Sequence, residues 1–252
     1  GYTIDQIATA ITTNVSTKKA GKTPFKKEDF LKAVQDDAFI EKMVAKYPKL
    51  LANLPSKDSG VRYRLEGYLF PATYNYGKDT TVKEMIDQML AAMDQNLSPY
   101  YETLESKNIN VNEVLTLASL VEKEGATDQD RKDIASVFYN RLNQDMPLQS
   151  NIAILYAEGK LGQKTTLKED ATINTELDSP YNIYKNTGLM PGPVDNPGVS
   201  AIEAAVNPSK TDYLYFVANV ENGEVFFAKT YEEHNKNVEE HVNSKLTQAS
   251  SN

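Results

Sequence analysis

Eleven consecutive residues, Gly188-Leu189-Met190-Pro191-Gly192-Pro193-Val194-Asp195-Asn196-Pro197-Gly198, hold three glycines and three prolines. Proline fixes φ and removes the backbone N–H, so neither a helix nor an interior strand can pass through such a segment. Three fixed φ values also make it stiffer than an ordinary loop. Any fold for this chain must therefore be assembled from elements that end before residue 188 and restart after residue 198.

Most of the flanking sequence carries helical spacing. Ile4, Ile7, Ala8 and Ile11 form one apolar stripe, and shorter patterns run over Glu28–Val34 and Asp36–Tyr47, the latter opened by Asp36-Asp37. Gly1 leads straight into the first stripe with no preceding Met, so an upstream segment is expected to be missing. Pro48, Pro55 and Ser56-Lys57-Asp58-Ser59-Gly60 read as a linker, which sets a boundary near residue 60. Residues 63–76, rich in Tyr and broken by Gly67 and Pro71, suit extended chain or turns. Helical spacing returns over Thr81–Glu105 (broken near Ser98-Pro99), Asn112–Lys123, Asp130–Asn143, Asn151–Glu158, Ser200–Asn207 and Tyr231–Leu246. Residues 165–178 have no strong period. Tyr213–Asn219 and Glu224–Ala228, joined by Val220-Glu221-Asn222-Gly223, form the one clear hairpin. The expected class is α+β: a mostly helical domain with a small antiparallel β-sheet over 61–247, a short helical N-terminal segment over 1–60, and a polar tail at 248–252.

Composition removes whole classes of function. With Lys+Arg 27 against Asp+Glu 35 and no basic cluster, the chain lacks the footprint of a nucleic-acid binder. Its apolar runs, such as Val114–Val121, are too short to span a bilayer. With no Cys, disulfides, zinc–thiolate sites and Cys nucleophiles are excluded. The two histidines, His234 and His241, are seven apart rather than four, so a paired metal site is not expected and a solvated or capping role is preferred. No nucleophile elbow and no phosphate-binding glycine loop is present.

Among the acids, Glu124 stands out. At 100° per residue it shares a helix face with Leu117 and Val121, whereas Glu122 lies about 200° away. A carboxyl at the rim of an apolar face is where loss of hydration raises a pKa towards that of a general acid. A helix-end glutamate paired with Lys123, Arg131 or Arg141 is the alternative. Asn140-Arg141 and Gln149-Ser150 flank a helix end and suit either a polar ligand or solvated surface. The aromatic set Tyr63, Tyr68, Phe70, Tyr74 and Tyr76 suits a sugar-stacking wall or a core, and Tyr181 and Tyr184 share that ambiguity.

Five ordered segments carry a resemblance: LEGYLFPATY at 65–74, LASLVEKEGATDQDRKDIASVFYNRL at 117–142, MPLQSN at 146–151, SPYNIYKNTGLMPGPVDNPG at 179–198 and AAVNPSKTDYLYFVANVENGEVFFAKTYEEHNKNV at 204–238. Together they resemble the membrane-anchored endolytic murein transglycosylases, the MltG or YceG-like family. Residues 1–60 fit less sharply; GYTIDQIATAI is similar to the segment after the family's small LysM-like part.

The resemblance implies an extracytoplasmic bacterial enzyme, held at the plasma membrane by a single N-terminal helix that is missing here. Such an enzyme cleaves the MurNAc–GlcNAc bond of peptidoglycan strands without water and leaves 1,6-anhydro-MurNAc ends. It would need no cofactor or metal, bind glycan strands, work beside the peptidoglycan synthases of the elongation complex and act as a terminase of polymerisation. The second acid of the family's E-K-E motif falls on Glu124 as the catalytic residue. Gly125 stands where some relatives carry Thr or Ala. Gln149, Ser150, Tyr181 and Asn182 become candidates to orient the glycan, with Asn140, Arg141 and Glu66 as further substrate-binding candidates; Glu66 is equally a structural acid. A hydrolytic muramidase, and a wall-binding scaffold module without turnover, are the competing expectations.

Overall fold

The computed structural model describes residues 1–14, 21–163, 172–219 and 221–243. Among these residues helices predominate and are joined by two small antiparallel sheets, in keeping with the expected α+β class. The chain forms two compact units, Gly1–Ser119 with Pro191–Val199, and Leu120–Met190 with Ser200–Asn252.

The first unit is built from short, well-capped helices. In α1 (Ile4–Ala10), Thr3 and Gln6 form a reciprocal capping box that satisfies two of the orphan N–H groups of the first turn. The strands β1 (Thr13–Asn14) and β2 (Gly21–Lys22) form a two-residue pair that follows, one too short to show a strand period in the sequence. Helix α2 spans Lys27–Ala33, and α3 (Asp37–Lys46) starts where Asp36 accepts from the N–H of Phe39. The expected break at Ser98-Pro99 is a single 3₁₀ turn between α4 (Val82–Leu97) and α5 (Tyr101–Ser106). Met85, Ile86, Met89, Leu90, Met93 and Leu97 bury one face of α4. Helix α6 (Val111–Glu124) opens on Asn110 and Glu113, whose side chains each accept from the other's backbone N–H.

The aromatic segment divides by position. Leu65, Tyr68 and Leu69 are core, while the Tyr63 hydroxyl donates to Asp5 and that of Tyr68 to Asn112. Asn196, wholly buried in the Gly–Pro bridge, ties this segment to the chain start. Its Oδ1 accepts from Gly67 N at 2.8 Å and Leu69 N at 3.0 Å, and its Nδ2 donates to Tyr2 O and to Glu66 Oε2. Glu66 Oε2 also accepts from Ile4 N at 2.8 Å. Gly67, at φ 96°, is required here: a Cβ would run into the Pro193 ring.

In the second unit, α7 (Asp128–Asn143) is capped by Thr127 and α8 (Asn151–Ala157) by Ser150. Gly159, at φ 71°, follows α8 as its sequence position suggested. Helix α9 spans Val199–Val206. The expected hairpin is β3 (Tyr215–Ala218) paired with β4 (Val225–Ala228), Phe216 facing Phe227; Val220 of its turn lies outside the described residues. Helix α10 (Tyr231–Val238) passes into a π-helical turn at Glu239–Asn243. The end of the expected closing helix at 244–246, the tail at 248–252, and residues 165–171 of the period-free stretch also lie outside them.

Replacing a fully used, buried amide leaves several partners unsatisfied at once. Asn196→Ala is expected to destabilise the protein by about 3 kcal/mol, and Asn196→Asp, which sets a second carboxylate against Glu66, by at least as much. Urea unfolding of the three proteins measures this.

Candidate active site

Residues 114–121 of α6 are all buried, on every face rather than along one stripe. Thr116 and Ser119 are tolerated there because their hydroxyls donate to the carbonyls of Asn112 and Thr116. The last turn brings Glu124 to the end of this buried helix. The residue is half-buried, and loss of hydration raises its pKa above the ordinary carboxylate value, opposed by a hydrogen bond that favours the charged form. That bond comes from the Ser150 hydroxyl, which donates to Glu124 Oε1 at 2.8 Å while accepting from Ile152 N to cap α8. A single serine thus starts one helix and holds the acid at the end of another.

Tyr184 is the second polar group here. Burial and the negative charge of Glu124 push its pKa up to about 12, so it remains a phenol; its hydroxyl donates to Asn151 Oδ1. Asn182 sets this tyrosine's place, since its Oδ1 accepts from Tyr184 N and its Nδ2 donates to the carbonyls of Thr175 and Leu177. Tyr181 lies in the core against the Tyr156 ring at 5.1 Å. Of the two tyrosines in this segment, Tyr184 is therefore the one that responds to the acid. Their identical residue type and their spacing of three hide this in the sequence, because burial of the intervening Ile183 and the Asn182 turn decide it.

Gln149 is exposed and adopts φ 59°, an uncommon conformation for a residue with a Cβ, in the position just before Ser150. Its N–H donates to Ile183 O at 3.0 Å, which joins the loop before α8 to the loop that carries Tyr184. Backbone held in such a region next to an acid is a recognised mark of a functional site.

Asn140 and Arg141 are not solvated surface. The Asn140 amide donates to the carbonyls of Thr211 and Tyr213, and Arg141, only 6% exposed, donates to those of Leu214 and Pro147. The Arg141 guanidinium also lies over the Tyr215 ring at 5.0 Å. These bonds fasten α7 to β3 and to the 146–149 loop. His234 stacks on the other partner of this column, Tyr215, at 5.1 Å, and burial together with Arg141 holds its pKa below the usual imidazole value. His241 stacks on Phe226 at 3.6 Å, so both histidines are packing residues of the hairpin. Among the described residues no group of three or more His, Asp or Glu is arranged to hold a metal ion. Glu66 belongs to the first unit, where it is 1% exposed and bonded to Ile4 and Asn196.

Gly125 has no left-handed conformation to justify it; close approach does. A Cβ there would lie 2.8 Å from Arg131 Cγ, 3.2 Å from Arg131 N and 3.3 Å from Arg131 Cα. The first turns of α7 thus press on the residue that follows the acid. Gly125→Ala is expected to cost about 1–3 kcal/mol, and the cost should shrink in Gly125→Ala/Arg131→Ala, which removes the nearest atom. A double-mutant unfolding cycle reads that coupling.

The sequence model of the YceG-like family matches residues 1–240. The chain is 63% identical over 246 residues to an endolytic murein transglycosylase of Streptococcus pneumoniae serotype 2 strain D39, covering 98% of this chain and 44% of that protein. It is 42% identical to an endolytic murein transglycosylase of Bacillus subtilis strain 168, covering 97% of this chain and 64% of that one. The chain thus spans about half the length of these relatives. A crystal structure of a YceG-like protein from Listeria monocytogenes superposes with a TM-score of 0.80 at 45% identity, covering 93% of this chain and 73% of that one. On sequence and on fold, this chain belongs to the YceG-like family.

Proposed function

We propose that this chain carries the catalytic part of an endolytic peptidoglycan lytic transglycosylase, which cuts between MurNAc and GlcNAc and leaves 1,6-anhydro-MurNAc ends. The observation that carries this reading is the raised, water-shielded carboxyl of Glu124 with one hydroxyl donor. Its similarity to the endolytic murein transglycosylases of S. pneumoniae and B. subtilis supports it.

The chemistry explains how one acid suffices. Neutral Glu124 protonates the glycosidic oxygen, the C1–O bond breaks and GlcNAc leaves with that proton. The C6 hydroxyl of the same MurNAc then attacks C1, and the Glu124 carboxylate accepts its proton, which restores the neutral acid. No water is consumed. An internal nucleophile brings the high effective concentration of a tethered reaction. Hydrolytic glycosidases generally place a second carboxylate within roughly 5–10 Å of the first. Burial raises the proton affinity of Glu124, and the Ser150 hydroxyl opposes it.

Ser150 positions the carboxyl, and Tyr184, a buried phenol that feels its charge and gives its one proton to Asn151, can accept from a sugar hydroxyl. Gln149 offers an exposed amide beside them. Asn140, Arg141, Tyr181 and Asn182 serve by holding the loops that present these groups, and Glu66 by fastening the first unit. A peptidoglycan substrate implies extracytoplasmic action. No helix among the described residues is long and apolar enough to cross a membrane, so anchoring would fall to chain beyond them. Work beside a synthase, with cleavage ending strand growth, completes the proposal.

Purified sacculi incubated with the chain and with Glu124→Gln test the reading. Anhydro-muropeptides are expected from the first and at least 1,000-fold fewer from the second (about 4 kcal/mol of barrier), with folding unchanged. A product about 18 Da heavier marks a hydrolytic muramidase, and unchanged biological function of Glu124→Gln in cells marks a scaffold. Ser150→Ala removes a bond that favours the carboxylate, so the Glu124 pKa should rise further. The basic limb of the pH–rate profile is then expected to move to higher pH while the maximal rate falls; a limb that moves down refutes the assignment of Glu124 as the acid.

A further inference from the structure

Among the described residues, three other than glycine have a left-handed backbone: Asn108 at φ 55°, Asp145 at φ 53° and Gln149 at φ 59°. Asn and Asp carry that conformation at little cost, because their short polar side chains bond locally. Glutamine has no such relief, and a glycine at 149 would remove the strain outright. Nor does the side chain hold the turn. Gln149 is exposed and its amide bonds no described group, although Leu148 and Ser150 on either side are each 2% exposed. The strained backbone thus places a side chain that the fold itself does not use.

That placement is beside the acid. Ser150, whose hydroxyl donates to Glu124 Oε1 at 2.8 Å, follows directly, its Cα about 3.8 Å from that of Gln149. On the other side Gln149 N donates to Ile183 O, next to Tyr184, whose phenol feels the charge of Glu124. All of these residues lie in the second unit. The neutral groups differ in what they have left to give. Ser150 gives its proton to Glu124 and Tyr184 gives its own to Asn151, so neither has one for a ligand. Gln149 keeps its NH2 group, a donor that the carbonyl of an acetamido group needs. We infer that Gln149 selects the 2-acetamido group of the sugar held against Glu124, so that cleavage depends on the N-acetylation of the strand. The inference deepens the lytic transglycosylase reading and rests on it for the glycan substrate. An ammonium in place of the acetamido group can accept nothing, and a site made for such a bond rejects a ligand that lacks it. The acetylation state of the strand thereby becomes a control on where it is cut.

Synthetic GlcNAc–MurNAc tetrasaccharides, with acetamido groups or with free amino groups in their place, are the probes, titrated calorimetrically into the Glu124→Gln protein. The acetylated sugar is expected to bind at least tenfold more tightly than the deacetylated one. Placed in the same protein, Gln149→Gly and Gln149→Met should each cut that ratio at least fivefold, through weaker binding of the acetylated sugar alone. Gln149→Gly should also leave the urea midpoint no lower, since it releases the strained backbone. A residue that only shaped the loop would weaken both sugars alike. An unchanged ratio therefore overturns the inference, as does a lowered midpoint or failure of the acetylated sugar to bind. If the affinities behave as expected and the Glu124-containing protein yields no anhydro products from acetylated sacculi, the selection stands and the lyase reading falls.

Discussion

A carboxyl group withdrawn from water is the constraint around which the second unit is arranged. Left alone, a buried carboxylate would cost several kcal/mol, so the group must either stay neutral or find donors. Glu124 does some of each: burial favours its proton, and Ser150 gives the charged form a single donor. Much of the local sequence follows from keeping that balance. The buried helix α6 carries the acid inward, Gly125 lets α7 begin within van der Waals distance, and Arg131 fills the space a larger residue would need. Just before Ser150, Gln149 takes a left-handed conformation and donates its N–H to Ile183 O.

The first unit solves a different problem, that of holding an irregular segment in place. The Gly–Pro bridge has few N–H groups to offer a ladder, so buried side chains supply the missing bonds. Asn196 is the main one, with both amide atoms doubly used, and Glu66 extends it to the N–H of Ile4. Ser119 contributes by accepting from Val194 N at 3.0 Å. Polar residues inside this unit are thus not ligands in waiting but substitutes for secondary structure. Their bonds hold Gly67 and Leu69 within residues 63–76, where Tyr68 is core and Phe70, Tyr74 and Tyr76 are half-buried.

Much of this was legible in the sequence, and the limits are physical. Helix positions followed from apolar spacing and caps, so Asp36, Ser98-Pro99 and Gly159 marked their boundaries to within a residue or two. The two-residue pair of β1 and β2 left no trace, because two residues cannot display a period of two. The stripe through Leu117, Val121 and Glu124 singled out Glu124 for an incomplete reason, since residues 114–121 of the helix are buried all round and the acid meets polar groups only at its end. Residue type misled most where long-range bonds decide the outcome. Arg141 looks like solvated surface until the carbonyls of Leu214 and Pro147, the former 73 residues away, are brought to it. Asn182 and Asn196 likewise look like ligand-binding amides or loop residues, and their saturation by backbone partners is invisible without the fold.

The opposed influences on Glu124 also bear on why its environment is not simply apolar. On the proposed mechanism the acid first gives a proton and then takes one back from a hydroxyl, which works best when neither form is strongly disfavoured. A wholly dry pocket would raise the pKa so far that loss of the proton became part of the barrier; a fully solvated glutamate would hold too little proton near neutral pH. One hydroxyl donor, already committed to capping a helix, gives a fixed and limited stabilisation of the carboxylate at no further ordering cost. Tyr184, kept as a phenol by burial and by the same negative charge, adds a neutral dipole rather than a cation. A lysine or arginine paired directly with the acid would lower its pKa and remove the proton the leaving sugar needs. On the proposed mechanism the neutrality of Ser150 and Tyr184 therefore matters as much as the acid itself.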